Sequence, residues 1–574
     1  PYIAPSADMS DGEGDGVILN VINGSGPLRL NRGALAFALA TALVLGGGCG
    51  PEGAGSNSGH TAADREALFD TIMARTERRE AFSPEKNRRL GNDPLAAMEA
   101  YREEVVGAES DQALYYALLK TSNARKDRHL RVRPVEGGIA TPSPAAIGLE
   151  NYPDPESAVP HAPVKFAVDH STPGGYFLFV ADVAGIAEGA GVAEVPGGRD
   201  AVAPGQKVVR VNGMPAAEYF ALVEPYHRYS TTNGFWNKLA LWLPQKGLQF
   251  PPEAYRPTLD LVLENPDGSS VLASLPYVGP EDLRWRGIGE PAYPGFEMAL
   301  ERPTFNFHLP TEGQDAVVIQ WFGFREFMIR DMDELMAYAA ENGLLDRAVI
   351  FDATRSGGGS NGAYAIQRIQ PRPFKTTFGN MRISDVTMPF MEARIARGID
   401  PDHPEALRGI IDDGTWLLDW FEHDVVPAVE RGDAYTNNVP FKNAHAPRDS
   451  DGVILPADVH FRGPLVVLLG PFGGSHLDQF VSIVVDNELG HVIGMQAGGY
   501  SNTWEWEEVL TFPDGSPVVE FMWDIGHTIT PGGRILEGAP SEIDDDVPVT
   551  RDNFADYYSI LTERALAYLS RSSG

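Results

Sequence analysis

Two stretches of the chain repeat a pattern that permits few folds. Residues 314–324 (QDAVVIQWFGF) are an uncharged apolar run after the first Asp, 332–345 (MDELMAYAAENGLL) are amphipathic, and 346–353 (DRAVIFDA) turn apolar again. The order recurs at PLVVLLG (464–470), HLDQFVSIVVDN (476–487) and HVIGM (491–495). A short apolar run reads as a buried strand and an apolar stripe at helical spacing as a covering helix. Strand, helix and strand in succession imply a parallel pair joined by a crossover. The expectation is therefore an α/β core.

Composition narrows the function. The 574 residues are 43% hydrophobic and 22% charged, ordinary for globular protein. Acidic residues outnumber basic ones 79 to 46, a net charge of -33. A nucleic-acid binder needs a basic surface, so no nucleic-acid partner is expected. The single cysteine, Cys49, excludes an intrachain disulfide and a cysteine-built zinc site.

That cysteine has a distinctive approach. Arg29 and Arg32 precede GALAFALATALVL (33–45), an uncharged segment shorter than the ~20 residues a spanning helix needs. It has the length of a signal-peptide core. Gly46, Gly47 and Gly48 then lead into Cys49, which resembles a bacterial lipoprotein signal with Cys49 as the lipidated residue. We expect residues 1–48 to be a signal peptide, 49–63 a flexible Gly/Ser-rich tether, and the protein to be held at a membrane by a lipid anchor in the bacterial cell envelope, outside the cytoplasm.

Residues 64–160 begin with helical periodicity (Leu68, Ile72, Leu114, Leu118) and reach a β-like stretch at KDRHLRVRPV (126–135). Residues 161–290 hold short β runs: YFLFVADV (176–183), a strand and Asn-Gly turn in GQKVVRVNGMP (205–215), and a hairpin around Pro266-Asp267-Gly268. Residues 291–574 contain the α/β pattern, an inserted helical segment near 385–432 (Met391, Ile395, Ile410, Leu417, Trp420, Phe421), and an amphipathic C-terminal helix. Asp544-Asp545-Asp546 reads as an exposed acidic turn, and Asp352 as a brace for the glycine turn that follows it.

Two segments carry chemistry. In FDATRSGGGSNG (351–362) a buried strand ends in three glycines, whose backbone N–H groups can face an oxyanion or simply make a turn. In PLVVLLGPFGGSHLDQF (464–480) a strand runs through Gly473 and Gly474 to Ser475 at a helix start. Such a serine is either a helix cap or an exposed nucleophile with the His476 N–H beside it as an oxyanion donor.

The two segments in this order resemble the C-terminal processing peptidase and tricorn protease family of serine peptidases. GQKVVRVNG resembles the family's PDZ-type motif, GHVIGMQAGGY (490–500) its strand and glycine turn after the nucleophile helix, and GGRILEGAPSEIDDDVPVT (532–550) its closing segment. The resemblance implies a ClpP/crotonase-like ββα-superhelix core with an N-terminal helical region and a PDZ-like β-rich module. It implies Ser475 as nucleophile, followed by an acidic residue three places on (Asp478), and an oxyanion hole from the backbone of His476 and of Gly358 or its neighbour Gly357. No metal or organic cofactor is implied. The lysine that processing peptidases place after the glycine turn is absent; Tyr500 stands there. The tricorn-like branch uses a histidine at the end of the N-terminal helical part, here His129, supported by a glutamate in the closing segment, here Glu537. A serine precedes that histidine in the branch, whereas this chain has Arg128.

The expected function is a serine endopeptidase acting on peptide or protein substrates through an acyl-enzyme on Ser475, with His129 as general base. Two alternatives stay open: a catalytically inactive binding lipoprotein of the same fold, and a serine esterase acting on non-peptide substrates. The oligomeric state has no signature in the sequence.

Overall fold

The computed structural model describes residues 59–139, 159–187, 201–247, 250, 256–324, 327–398, 415–440, 451–501 and 504–572. The signal segment 1–48, Cys49, the tether through residue 58 and Ile410 lie outside the described residues. Among the described residues no helix is long and apolar enough to cross a membrane.

Seven strands form the central sheet, and their spatial order follows the chain: Phe296–Glu301, Phe305–Pro310, Ala316–Trp321, Ala348–Asp352, Leu465–Leu469, His491–Gly494 and Asp545–Asp546. The first three are antiparallel and the rest run parallel to the third. Both expected crossovers are present, through helices Met328–Glu341 and His476–Asp486. Every residue of Ala348–Asp352 and Leu465–Leu469 is buried. The cause is cover on both faces, which removes the alternation a one-sided strand would show. Val317, Ile319, Phe351, Val467 and Leu469 pack under the crossover helices, whereas Val318, Ile350, Val466 and Leu468 pack under the C-terminal helix Tyr557–Ser572. Asp545–Asp546 is the last strand of this sheet rather than an acidic turn, and the Asp544 carboxylate accepts from Val492 N at 2.8 Å.

The N-terminal helices are Ala62–Arg79, Pro84–Leu90, Pro94–Glu99, Arg102–Val106 and Asp111–Asn123. Local chemistry starts them. Thr61 and Asp64 form a capping box, and Ser83 and Asp93 each cap a helix whose next residue is proline. Their apolar faces share a core with the hairpin Glu505–Thr511/Pro517–Asp524 and with the inserted helices Thr387–Gly398 and Thr415–Trp420. Val132–Arg133 joins that hairpin as a third strand, with Val132 opposite Phe521.

A third core belongs to the PDZ-like β-rich module. Strands Val164–Asp169, Phe177–Val183, Lys207–Val211, Thr258–Glu264 and Ser270–Pro276 pack against helices Ala216–Val223 and Thr232–Trp242. The Asn212-Gly213 turn has φ of 49° and 83°, the pair of left-handed residues that a two-residue hairpin turn requires. The architecture is thus α/β, a ClpP/crotonase-like core with N-terminal helices and a β-rich module.

Candidate active site

The strand Leu465–Leu469 delivers the chain through Gly473 and Gly474 to Ser475, which adopts φ 60° and ψ -121° immediately before the helix His476–Asp486. A side chain in that conformation is strained and persists only where its surroundings fix it. Here Ser475 N donates to Tyr500 O at 2.6 Å. The Asp478 carboxylate, one turn into the helix, accepts from Gly499 N and Tyr500 N, both at 3.1 Å. Burial pushes Asp478 up to about 7 against the pull of those donors. Gly474 is required by close approach, since a Cβ there would lie 2.1 Å from the Tyr500 ring. The acidic residue three places after the serine thus pins the glycine turn to the nucleophile helix.

A second glycine turn arrives from Ala348–Asp352. Asp352 braces it: its carboxylate accepts from Thr354 N at 2.8 Å and from the Tyr293 hydroxyl. Gly357 N donates to Phe322 O at 3.0 Å, so that amide is already engaged. Gly358 abuts the nucleophile; a Cβ on it would sit 2.7 Å from Ser475 Cβ and 3.1 Å from Oγ. Gly358 N has no hydrogen-bond partner among the described residues, and neither does His476 N, which begins its helix with an unpaired amide. The imidazole of His476 turns the other way. Its Nε2 accepts from Gly362 N at 2.6 Å, and burial pushes its pKa down to about 3.

His129 comes from the connection between the last N-terminal helix and the strand Val132–Arg133. Its Nε2 lies 3.0 Å from Ser475 Oγ, across 346 residues of sequence. His129 N donates to Asp127 Oδ1 at 2.9 Å, and its ring meets Tyr500 edge-on at 5.2 Å. Arg128, in the place of the family serine, stacks its guanidinium over Tyr500 at 5.4 Å, while its N–H donates to Ser230 Oγ at 3.0 Å. Burial lowers the His129 pKa below the usual imidazole value. Glu505 and Asp127 oppose that shift, and Arg128 and Arg228 add to it.

Glu537 is 1% exposed. Its Oε2 accepts from Ser501 N at 2.8 Å. Neither Glu537 Oε1 nor His129 Nδ1 has a hydrogen-bond partner among the described residues. Asp127, His129 and Glu537 offer one ligand-type atom each, all within 4.8 Å of one another. A cation already serves this group, since Lys86 Nζ lies 3.3 Å from Asp127 Oδ2 and 3.7 Å from Glu537 Oε1. Ser475, His129, Glu537, Gly358 and His476 N are therefore brought together. Cys49 lies outside the described residues.

Two contributors escape sequence reasoning, Asp127 and Lys86, and neither carries a local signal. The place of Lys86 depends on how the second helix meets the closing segment.

No family model matches the sequence, and no curated protein is similar to it. Solved structures are. Mature CPAF shares 14% identity at a TM-score of 0.63, covering 88% of this chain and 96% of its own. Mature CPAF complexed with lactacystin shares 14% at 0.62, covering 89% and 98%. The chain has the fold of mature CPAF. The photosystem II D1 C-terminal processing protease aligns over 84% of this chain and 93% of its own at 13% identity, with a TM-score of 0.37.

Proposed function

We propose that the protein is a serine endopeptidase. The observation that carries this is the 3.0 Å separation of His129 Nε2 and Ser475 Oγ at a strained serine between two glycine turns. A serine hydroxyl is a weak nucleophile until a base within hydrogen-bond reach takes its proton. His129, whose proton affinity is lowered by burial, is neutral at pH 7 and free to accept it. Ser475 Oγ attacks the substrate carbonyl as its proton passes to His129 Nε2. The oxyanion is held by the amides of Gly358 and His476, the second reinforced by the helix N-terminus. His129 then protonates the leaving amine, and water, activated by the same imidazole, releases the acyl group from Ser475. Glu537 supports the imidazole from behind, with a carboxylate oxygen within 4.8 Å of a His129 ring nitrogen.

Peptides and proteins are the substrates, and the β-rich module presents an extended peptide by strand addition. Cys49, as the lipidated residue, tethers the protein to a membrane outside the bacterial cytoplasm. The test is covalent labelling by a fluorophosphonate together with peptide turnover. Ser475→Ala abolishes labelling, and His129→Ala lowers kcat by roughly 10³-fold or more. Labelling that persists in Ser475→Ala excludes this serine. Ester turnover without peptide turnover would make the enzyme an esterase instead.

A further inference from the structure

Behind His129 lies a cluster of charges of which the chemistry above uses only Glu537. Glu80, Lys86, Arg125, Asp127, Asp524 and Glu537 are all between 1% and 3% exposed. Four carboxylates therefore face two cations. Arg125 is spoken for on the far side, where it donates to Glu80 Oε2 at 3.0 Å, Met522 O at 2.9 Å and Ser122 Oγ at 2.6 Å. That leaves Lys86 between Asp127 and Glu537, the two carboxylates gathered at the histidine.

The packing holds Lys86 there. Ser83 caps its helix and also donates through Oγ to Glu537 O at 2.6 Å, joining the helix start to the closing segment. Gly538, the residue after Glu537, lies so close that a Cβ on it would fall 2.1 Å from Lys86 Cβ.

Two buried carboxylates behind an imidazole pose a specific problem. A general base must be neutral to work, and each negative charge nearby favours the imidazolium. One carboxylate orients a base, whereas a second, uncompensated, holds it protonated. We propose that Lys86 is a positioning residue for the base: its ammonium balances the Asp127–Glu537 pair, so that His129 stands neutral and oriented at neutral pH. The proposal deepens the hydrolase reading and rests on it for its catalytic meaning, but the charge balance itself is measurable without turnover.

Other charges reach the two groups. Glu80 and Asp524 act on Lys86 with Asp127 and Glu537, raising its proton affinity against burial. Glu505, Arg128 and Arg228 act on His129. Lys86 in turn acts on His527, whose Nε2 lies 3.0 Å from Phe82 O. None of these changes in the variants that follow, so a shift is assignable to the Lys86–Asp127 charges.

The experiment is the titration of His129 in the full chain, followed by NMR of ring-labelled histidine and assigned by the signal lost in His129→Asn. Fluorophosphonate reaction at Ser475 is measured across the same pH range. Lys86→Met removes the cation and raises the His129 midpoint by about one pH unit or more. Asp127→Asn removes an anion and lowers it, and the double variant returns it toward the wild-type value. Lys86→Arg keeps it near wild type. In the reaction profile the acidic limb moves with the NMR midpoint. A purely structural lysine would lower thermal stability and leave the midpoint in place, and that result overturns the proposal. Should Lys86→Met not fold, Asp127→Asn alone decides, because an unmoved midpoint there also overturns it. Wild-type protein whose Ser475 never reacts would sink the hydrolase reading, while the NMR midpoints would still report on Lys86.

Discussion

At the scale of single residues, the site depends on side chains that are missing as much as on those present. Gly358 has room for a hydrogen and nothing larger, because the Ser475 side chain occupies the volume a Cβ would take. Its φ is not in the left-handed region, so alanine is tolerated by the backbone and the penalty falls on the contact alone. Gly358→Ala should therefore push the glycine turn off the serine and withdraw an oxyanion amide, lowering kcat by roughly 10²- to 10³-fold with little change in KM or melting temperature. Steady-state kinetics with a thermal melt checks this, and unchanged kcat would remove Gly358 from the oxyanion hole. Ser475 and the glycines around it were legible in the sequence because strand, glycine turn and helix are local features. His129 and Glu537 were legible only through family resemblance, since nothing local marks a histidine in KDRHLRV as facing a serine 346 residues away. Lys86 was not legible, because a lysine beside arginines on a short helix reads as surface until the closing segment covers it.

At the scale of elements, the hairpin Glu505–Thr511/Pro517–Asp524 does the placing. It pairs with Val132–Arg133 just after His129, packs on the N-terminal helices, and leads into the closing segment that carries Glu537. Its link to the first helix includes the Arg75–Glu508 and Arg79–Glu508 ion pairs and one fully buried contact, where Trp523 Nε1 donates to Thr76 Oγ1 at 3.0 Å. Thr76→Val preserves shape and removes the acceptor, leaving a buried indole N–H unpaired. Stability should fall by about 1–3 kcal/mol in urea denaturation, with kcat unchanged at 25 °C. A change below roughly 0.5 kcal/mol would mean that the indole finds another acceptor. The crossovers around 316–352 and 465–494 were readable because their strands are uniformly apolar and their helices periodic. Asp545–Asp546 was not, because its strand character comes from pairing with Ile493 and Gly494 rather than from its own composition. The helix Thr232–Trp242 was likewise hidden in a stretch read mainly as β runs and turns.

For the whole molecule, the buried titratable groups fall into two sets with opposite pH behaviour. His227 and His476 are 0% and 3% exposed, and burial pushes both down to about 3. Unfolded, each takes a proton near pH 6.5, so acidification favours the unfolded chain. Their stabilisation is present above pH 6.5 and is lost toward pH 3, at about 1.4 kcal/mol per pH unit and per group. Glu80 and Asp478 are pushed up by burial to about 7, and Asp524 also rises. For these the folded state holds a proton that the unfolded chain has released, so their stabilisation is complete below about pH 4 and disappears as pH rises through 7. Between roughly pH 4.5 and 6.5 the two slopes oppose each other. Below that window only the histidines act, and above it only the carboxylates, with self-repulsion from a net charge of -33 working in the same direction. The melting temperature should therefore peak between about pH 5 and 6.5 and fall on both sides. Added salt should recover only part of the alkaline loss, because it screens the surface and not the buried acids. His227→Phe, in a pocket of Phe235, Trp242 and Phe250, should flatten the acidic side by one proton's slope and leave the alkaline side alone. Thermal melts from pH 3.5 to 9 decide the matter: a melting temperature that climbs steadily from pH 6 to 9 would show that the buried carboxylates are ionised in the fold, and that their cations, Lys86 foremost, compensate them fully.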